Sequence, residues 1–227
     1  MDRRKFLNGC LLTTTTSCLP AMAKDFSVKS EMDKIITQNK YDYSKYQLQS
    51  LSQQQESIIQ NDILPRQYSE SFWDQPRKIF LKRSKTNEQA EIVYFRNGQV
   101  DLQGYWHVTY LLRDIGAKLM AYPDLKLLDL LCAVQAWMKV NGNNQPLIIT
   151  SGFRTKENNA KIENAARNSQ HVLGKAVDFV VPGFDPKTIG IIAKHFQAGG
   201  VGIYMDQKFN HLDTGNVRSW VGHTKRK

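Results

Sequence analysis

The sequence predicts an α+β domain in which helices pack against a small antiparallel sheet. Two observations carry the expectation. Short apolar segments with strand-like alternation stand on both sides of a helical centre, and two longer stretches repeat apolar residues every three or four positions. Turn pairs such as Asn97-Gly98 and Asn141-Gly142 separate them. The 227 residues suit one substantial domain with appendages better than two full domains, and no internal repeat is visible.

The chain opens with "MDRRKFLNGCLLTTTTSCLPAMA", a basic head, a modestly apolar centre and a small-residue Ala21-Met22-Ala23 end suited to cleavage, so residues 1–23 are expected to be a signal peptide. Arg3-Arg4 followed by Phe6-Leu7 resembles the twin-arginine export signal, and the Thr-rich centre fits that route better than a membrane-spanning helix. Thr15 stands where a lipid-anchor motif ending at Cys18 needs an aliphatic residue. Cleavage after Ala23 would leave Cys132 as the sole cysteine, which excludes an intramolecular disulfide framework. It would also remove Arg3, Arg4 and Lys5 together with Asp2, taking the formal charge from +10 to +8. A basic chain favours an anionic partner, and at this point nucleic acid, anionic lipid and acidic cell-wall polymer are all open.

Residues 24–75, rich in Lys, Gln, Ser and Asn, are expected to form a polar leader or linker. The folded domain is expected over 76–227. "KIFLKRS" and "AEIVYFRNGQV" predict a strand and hairpin turning at Asn97-Gly98. "YWHVTYLLRDIGA" and "PDLKLLDLLCAVQAWMKVNG" predict helices, the second opened by Pro123-Asp124 and closed by Asn141-Gly142, with Cys132 as a small buried hydrophobe. "QPLIITSGFRT" is a strand entering a loop, "KENNAKIENAA" a helical or irregular polar stretch, and "KAVDFVVPG" another strand. "DPKTIGIIAKHFQAGG" predicts a helix with a glycine stop, and "VGIYM" with "NHLDTG" a terminal hairpin.

Several chemistries are missing: there is no HExxH, no paired CxxC, no GxSxG and no Walker A loop. Gly174-Lys175 does not end a phosphate loop, since Ser169 takes the upstream glycine position and Ala176 follows the lysine. Three clusters remain at predicted strand ends: "TSGFRT" with Arg154, "SQHVLGKAVD" with His171 and Asp178, and "FNHLDTG" with His211 and Asp213. His171, Asp178 and His211 would supply the two imidazoles and one carboxylate of a familiar catalytic zinc set. Residues two apart on a strand share a face, so His211 and Asp213 would stand together with Leu212 turned to the core. Asp213 is then a candidate general base or a residue that orients a ligand. Asp178 would point away from Val177 and Phe179. The alternative is ordinary: a solvated histidine and an aspartate cap or ion pair, the role assigned to His107, His195 and His223. Spacing alone leaves both readings open.

Ser169-x-His171-x-x-Gly174-x-Ala176-x-Asp178 resembles the SxHxxGxAxD motif of M15-type zinc peptidases at all five defined positions. "SGFRTKENN" is similar to that family's SGxR loop, and "GVGIY" with "FNHLDTGNVRSW" to the closing segment of its YcbK-like branch, so the resemblance spans about residues 77–222. It implies a lysostaphin/D-Ala-D-Ala peptidase-like (LAS-type) fold and a periplasmic, zinc-dependent hydrolase of peptidoglycan cross-links. It also implies His171, Asp178 and His211 as ligands of Zn2+, and Arg154 as the cation for a substrate carboxylate or carbonyl oxygen. Peptidoglycan becomes the expected partner, with no nucleic acid and no transmembrane segment in the mature chain. In one respect the chain departs from relatives in the wider group: Lys208 stands where many carry an acidic base three residues before the final histidine. Asp213 is the first replacement and Asp206 the second. A D,D- or L,D-carboxypeptidase and a non-catalytic peptidoglycan-binding module are the competing readings.

Overall fold

The computed structural model describes residues 47–48, 70–162, 166 and 168–222. The expected signal peptide at 1–23, most of the leader expected at 24–75, and His223 lie outside the described residues.

Strand β1 (Gln47–Leu48) pairs in parallel with β5 (Leu119–Met120). The other strands are β2 (Arg77–Arg83), β3 (Gln89–Arg96), β4 (Gln99–Val100), β6 (Leu147–Ser151), β7 (Ala176–Val180), β8 (Gly200–Tyr204), β9 (Phe209–Asp213) and β10 (Arg218–Val221). They form one eight-stranded sheet in the order β10-β8-β9-β7-β6-β2-β3-β4. This corrects the expectation of a small antiparallel sheet. The sheet is large, and it is mixed: β2 runs parallel to β6 and β10 parallel to β8. The β2–β6 pairing sets Leu81 beside Leu147 and fuses the N-terminal hairpin to the later strands. Such a long-range parallel join leaves no local turn signal. β10, "RSWV", carries too little alternation to announce a strand.

The helices are α1 (Glu70–Asp74), α2 (Leu102–Leu111), α3 (Leu125–Val140), α4 (Lys156–Ala160) and α5 (Pro186–His195), with a 3-10 turn at Gln170–Leu173. Side chains close their N-terminal turns: Asp101 accepts from Gly104 N, Asp124 from Lys126 N, Thr155 from Asn158 N and Asp185 from Thr188 N. The hairpin turns at Asn97-Gly98 with φ of 53° and 74°, as a tight two-residue turn requires, and α3 is capped by Asn141 before Gly142. The expected glycine stop of α5 is displaced. The helix ends at Phe196, Gln197 takes φ of 47°, and Gly200 already belongs to β8.

Leu127, Leu128, Leu131 and Val134 of α3 share a core with Ile79 and Leu81 of β2, Ile149 of β6, Val177 and Phe179 of β7, and Leu212 of β9. Trp73 of α1 belongs to the same core. Cys132 is buried within it, and burial pushes its thiol up to about 11, so it is inert at neutral pH. Asp129, fully buried, accepts hydrogen bonds from Arg77 and from the Tyr94 hydroxyl. Among the described residues, no helix is long and apolar enough to cross a membrane.

Candidate metal site

His171 sits in the 3-10 turn. Ser169 caps this turn by accepting from His171 N, and Gly174 ends it with φ of 68°, a left-handed conformation that suits glycine. Asp178 lies on β7 between Val177 and Phe179, both fully buried on the opposite face. His211 faces Asp178 directly across the antiparallel β7–β9 pair. Turn and strands together bring one ligand atom from each residue to within 4.8 Å of the others. His211 Nδ1 is 2.8 Å from Asp178 Oδ1, and His171 Nε2 is 3.3 Å from both.

The outward nitrogens define what faces inward. His171 Nδ1 is 2.7 Å from the Gly152 carbonyl, which can only accept, so Nδ1 carries the hydrogen and Nε2 presents a lone pair. His211 Nε2 is 2.9 Å from Asp213 Oδ2 and donates to it, leaving Nδ1 directed into the cluster. Two imidazole lone pairs and a carboxylate oxygen thus converge, a donor set that fits a divalent cation with mixed nitrogen and oxygen preference, zinc among them. Electrostatics agree for two of the residues. Burial lowers His171, and although burial alone would raise Asp178, the two imidazoles hold its carboxyl well below the usual range. His211 behaves oppositely. Burial disfavours its charge, but hydrogen bonds to Asp178 and Asp213 outweigh that and raise it, so a proton competes with a cation for Nδ1.

Arg154 donates from Nη2 to Asp178 Oδ2 at 2.7 Å and from Nε to Ser151 Oγ at 2.8 Å, with its side chain 16% exposed. Its loop is anchored from behind: Phe153 N donates to Leu112 O, and Thr155 N to the Asp114 carboxylate, which also accepts from Asn158. Gly152 touches Leu112 so closely that a Cβ would lie 2.4 Å from the Leu112 carbonyl oxygen.

Asp213 is fully buried behind His211. Its oxygens accept from His211, from both Nη atoms of Arg218 at 3.0 and 2.6 Å, and from Gly200 N and Gly215 N. Burial by itself would raise Asp213, but these donors hold its carboxyl well below the usual range. Asp206 and Lys208 are exposed in the β8–β9 turn. His107 is half-buried on α2 and His195 exposed at the end of α5, neither in the cluster. Sequence reasoning did not single out Arg218 or Trp220, and it met Ser151 and Gly152 only as positions of the SGxR loop.

A family model described as peptidoglycan L,D-endopeptidase MepK matches residues 72–220. The chain is 30% identical over 149 residues to the peptidoglycan L,D-endopeptidase MepK of Escherichia coli K12, covering 64% of this chain and 80% of that one. The corresponding protein of Shigella flexneri matches to the same extent. A probable peptidoglycan L,D-endopeptidase MepK from Haemophilus influenzae is 32% identical over 117 residues, covering 50% of this chain and 62% of the relative.

Proposed function

The chain belongs to the Peptidase_M15_2 family and is a peptidase, and from that premise we propose that it is a zinc-dependent endopeptidase of peptidoglycan cross-links. The observation that carries this reading is the convergence of His171 Nε2, Asp178 Oδ1 and His211 Nδ1, with both outward imidazole nitrogens engaged. These three residues would hold the metal, which when bound supplies Lewis acidity to a peptide carbonyl and to water.

The protein's own groups set the site up. The Gly152 carbonyl and the Asp213 carboxylate fix the two imidazole rings. Arg154 donates to Asp178 through Oδ2, leaving Oδ1 to the cluster. Guanidinium has five N–H donors, and the exposed part of Arg154 supports its further role of holding a substrate carboxylate or a developing oxyanion. For Asp213 we favour the orienting role over that of general base. It lies beyond His211 from Asp178, and its oxygens are already engaged by His211, Arg218 and two backbone N–H groups. Asp206, on the exposed turn, is the weaker candidate for the base.

We place the LAS-type peptidase domain at residues 76–227, behind a polar leader at 24–75 and a cleaved twin-arginine signal at 1–23, which would deliver it to the periplasm. The basic charge suits residence beside a polyanionic wall. Mass spectrometry of cross-linked muropeptides, with zinc content measured alongside, tests the reading. The wild type is expected to convert dimers to monomers, and His171→Ala and His211→Ala to lose both zinc and cleavage. Monomers shortened by one residue would indicate a carboxypeptidase, and binding of sacculi without soluble product a non-catalytic module. Full zinc content and full cleavage in either variant would refute the proposal.

A further inference from the structure

On the face of the sheet that carries Asp178 and His211, strand β8 is bare at two successive positions. Gly200 lies beside Arg218 of β10, and Gly202 lies between Trp220 of β10 and His211 of β9. Neither glycine is there for an unusual backbone conformation, since neither has a positive φ. Space explains both. A Cβ at Gly200 would lie 2.4 Å from Arg218 Nη1 and 2.4 Å from Asp213 Oδ2, and a Cβ at Gly202 would lie 2.7 Å from the Trp220 ring. Glycine weakens a strand and marks a place where other groups must approach closely.

Two side chains of the edge strand use that gap. Arg218 crosses it to grip Asp213 with both Nη atoms, and Asp213 in turn receives His211 Nε2. Trp220 crosses one row along, its ring centroid 5.3 Å from that of His211, with the indole N–H donating to the Tyr204 hydroxyl. The Arg218 guanidinium also lies 5.1 Å from the Trp220 ring. His211 is therefore held at its outer nitrogen and along its ring by two residues of one strand.

We infer that Arg218 and Trp220 are positioning residues for His211, Arg218 acting through Asp213 and Trp220 directly on the imidazole, across two positions of β8, Gly200 and Gly202, that carry no side chain. The inference rests on the reading of His211 as a metal ligand. β10 thereby becomes part of the site without touching substrate or metal.

Zinc alone is the probe, titrated against a competing chelator into the full-length protein, with thermal unfolding of the metal-free form recorded for each variant. Arg218→Ala is expected to weaken zinc binding by about ten- to a hundredfold, the range for removing a group that orients a ligand. Arg218→Lys should recover part of that loss and Trp220→Phe most of the loss seen in Trp220→Ala. Gly202→Ala, which removes no polar group, should weaken zinc by displacing Trp220. In an Asp213→Asn background, Arg218→Ala should cost nothing further, because its route to His211 is already cut. Equal fold-losses in both backgrounds, or affinity within twofold of wild type for Arg218→Ala and Trp220→Ala, would overturn the inference. A wild type that neither binds zinc nor cuts muropeptides would instead overturn the proposed function.

Discussion

Replacing Asp213 with asparagine separates orientation from proton transfer. Asparagine keeps the volume and one oxygen, but its amide sets a donor against either His211 Nε2 or Arg218, both of which now donate to the carboxylate. Arg218 is 44% exposed, so the ion pair itself counts for only about 0.2–1 kcal/mol. The hydrogen bonds matter more: leaving donors unmatched at this fully buried position costs about 1–3 kcal/mol. The loss should lower the melting temperature by about 2–4 °C per kcal/mol in a domain of this size. Freed of its outer partner, His211 should bind metal more weakly by about ten- to a hundredfold, or about 1.4–2.7 kcal/mol. The assay is cleavage of muropeptide dimers across a zinc titration. Asp213→Asn is expected to regain much of its kcat once zinc is saturating. Unchanged zinc affinity with kcat down by about 10²–10⁴ at every zinc concentration is the behaviour of a lost general base, and would refute the orienting role.

Other consequences follow from the surroundings. Burial lowers His107 to about 4, against 6.5 when unfolded, so the unfolded chain takes up the proton first. Stability should be fully present above pH 6.5 and decline as pH falls from there towards 4, by up to about 3 kcal/mol, and His107→Gln should flatten that part of the pH–stability curve. Gly104→Ala puts a Cβ 1.6 Å from the Val93 carbonyl oxygen, so α2 must lift from β3; denaturant unfolding should show a loss of at least about 1–3 kcal/mol. Asp114→Ala unties Thr155 and Asn158 from behind the Arg154 loop. It should cost about 1–3 kcal/mol and lower muropeptide cleavage, and unaltered activity would show that the loop needs no such anchor.

The alternation around Asp178 and across His211–Asp213 was legible because a strand turns each second side chain to the same face, and Val177, Phe179 and Leu212 announced which face was core. That His171 joins them followed only from the donor types and the motif resemblance, since its position depends on a 3-10 turn tied to the Gly152 carbonyl. The SGxR resemblance drew attention to Arg154, yet its grip on Asp178 required the fold. Arg218 and Trp220 escaped notice because a four-residue strand beside "GVGIY" carries no periodicity of its own, and Gly200 belongs to the Gly199-Gly200 pair that reads as a helix stop. The parallel join of β2 to β6 was hidden for a similar reason: it is made by tertiary contact alone.

The side-by-side pairing of β7 and β9, with Asp178, His211 and Asp213 on one face and Val177, Phe179 and Leu212 on the other, has a consequence for assembly. A slip of β9 by a single residue against β7 would drive His211 and Asp213 inward, among leucines and valines, and strand Leu212 in water. A one-residue slip therefore preserves no part of the site. A chain mispaired by one residue forfeits its hydrophobic burial and the His171–Asp178–His211 cluster in the same event, so the core itself rejects molecules that are wrongly threaded.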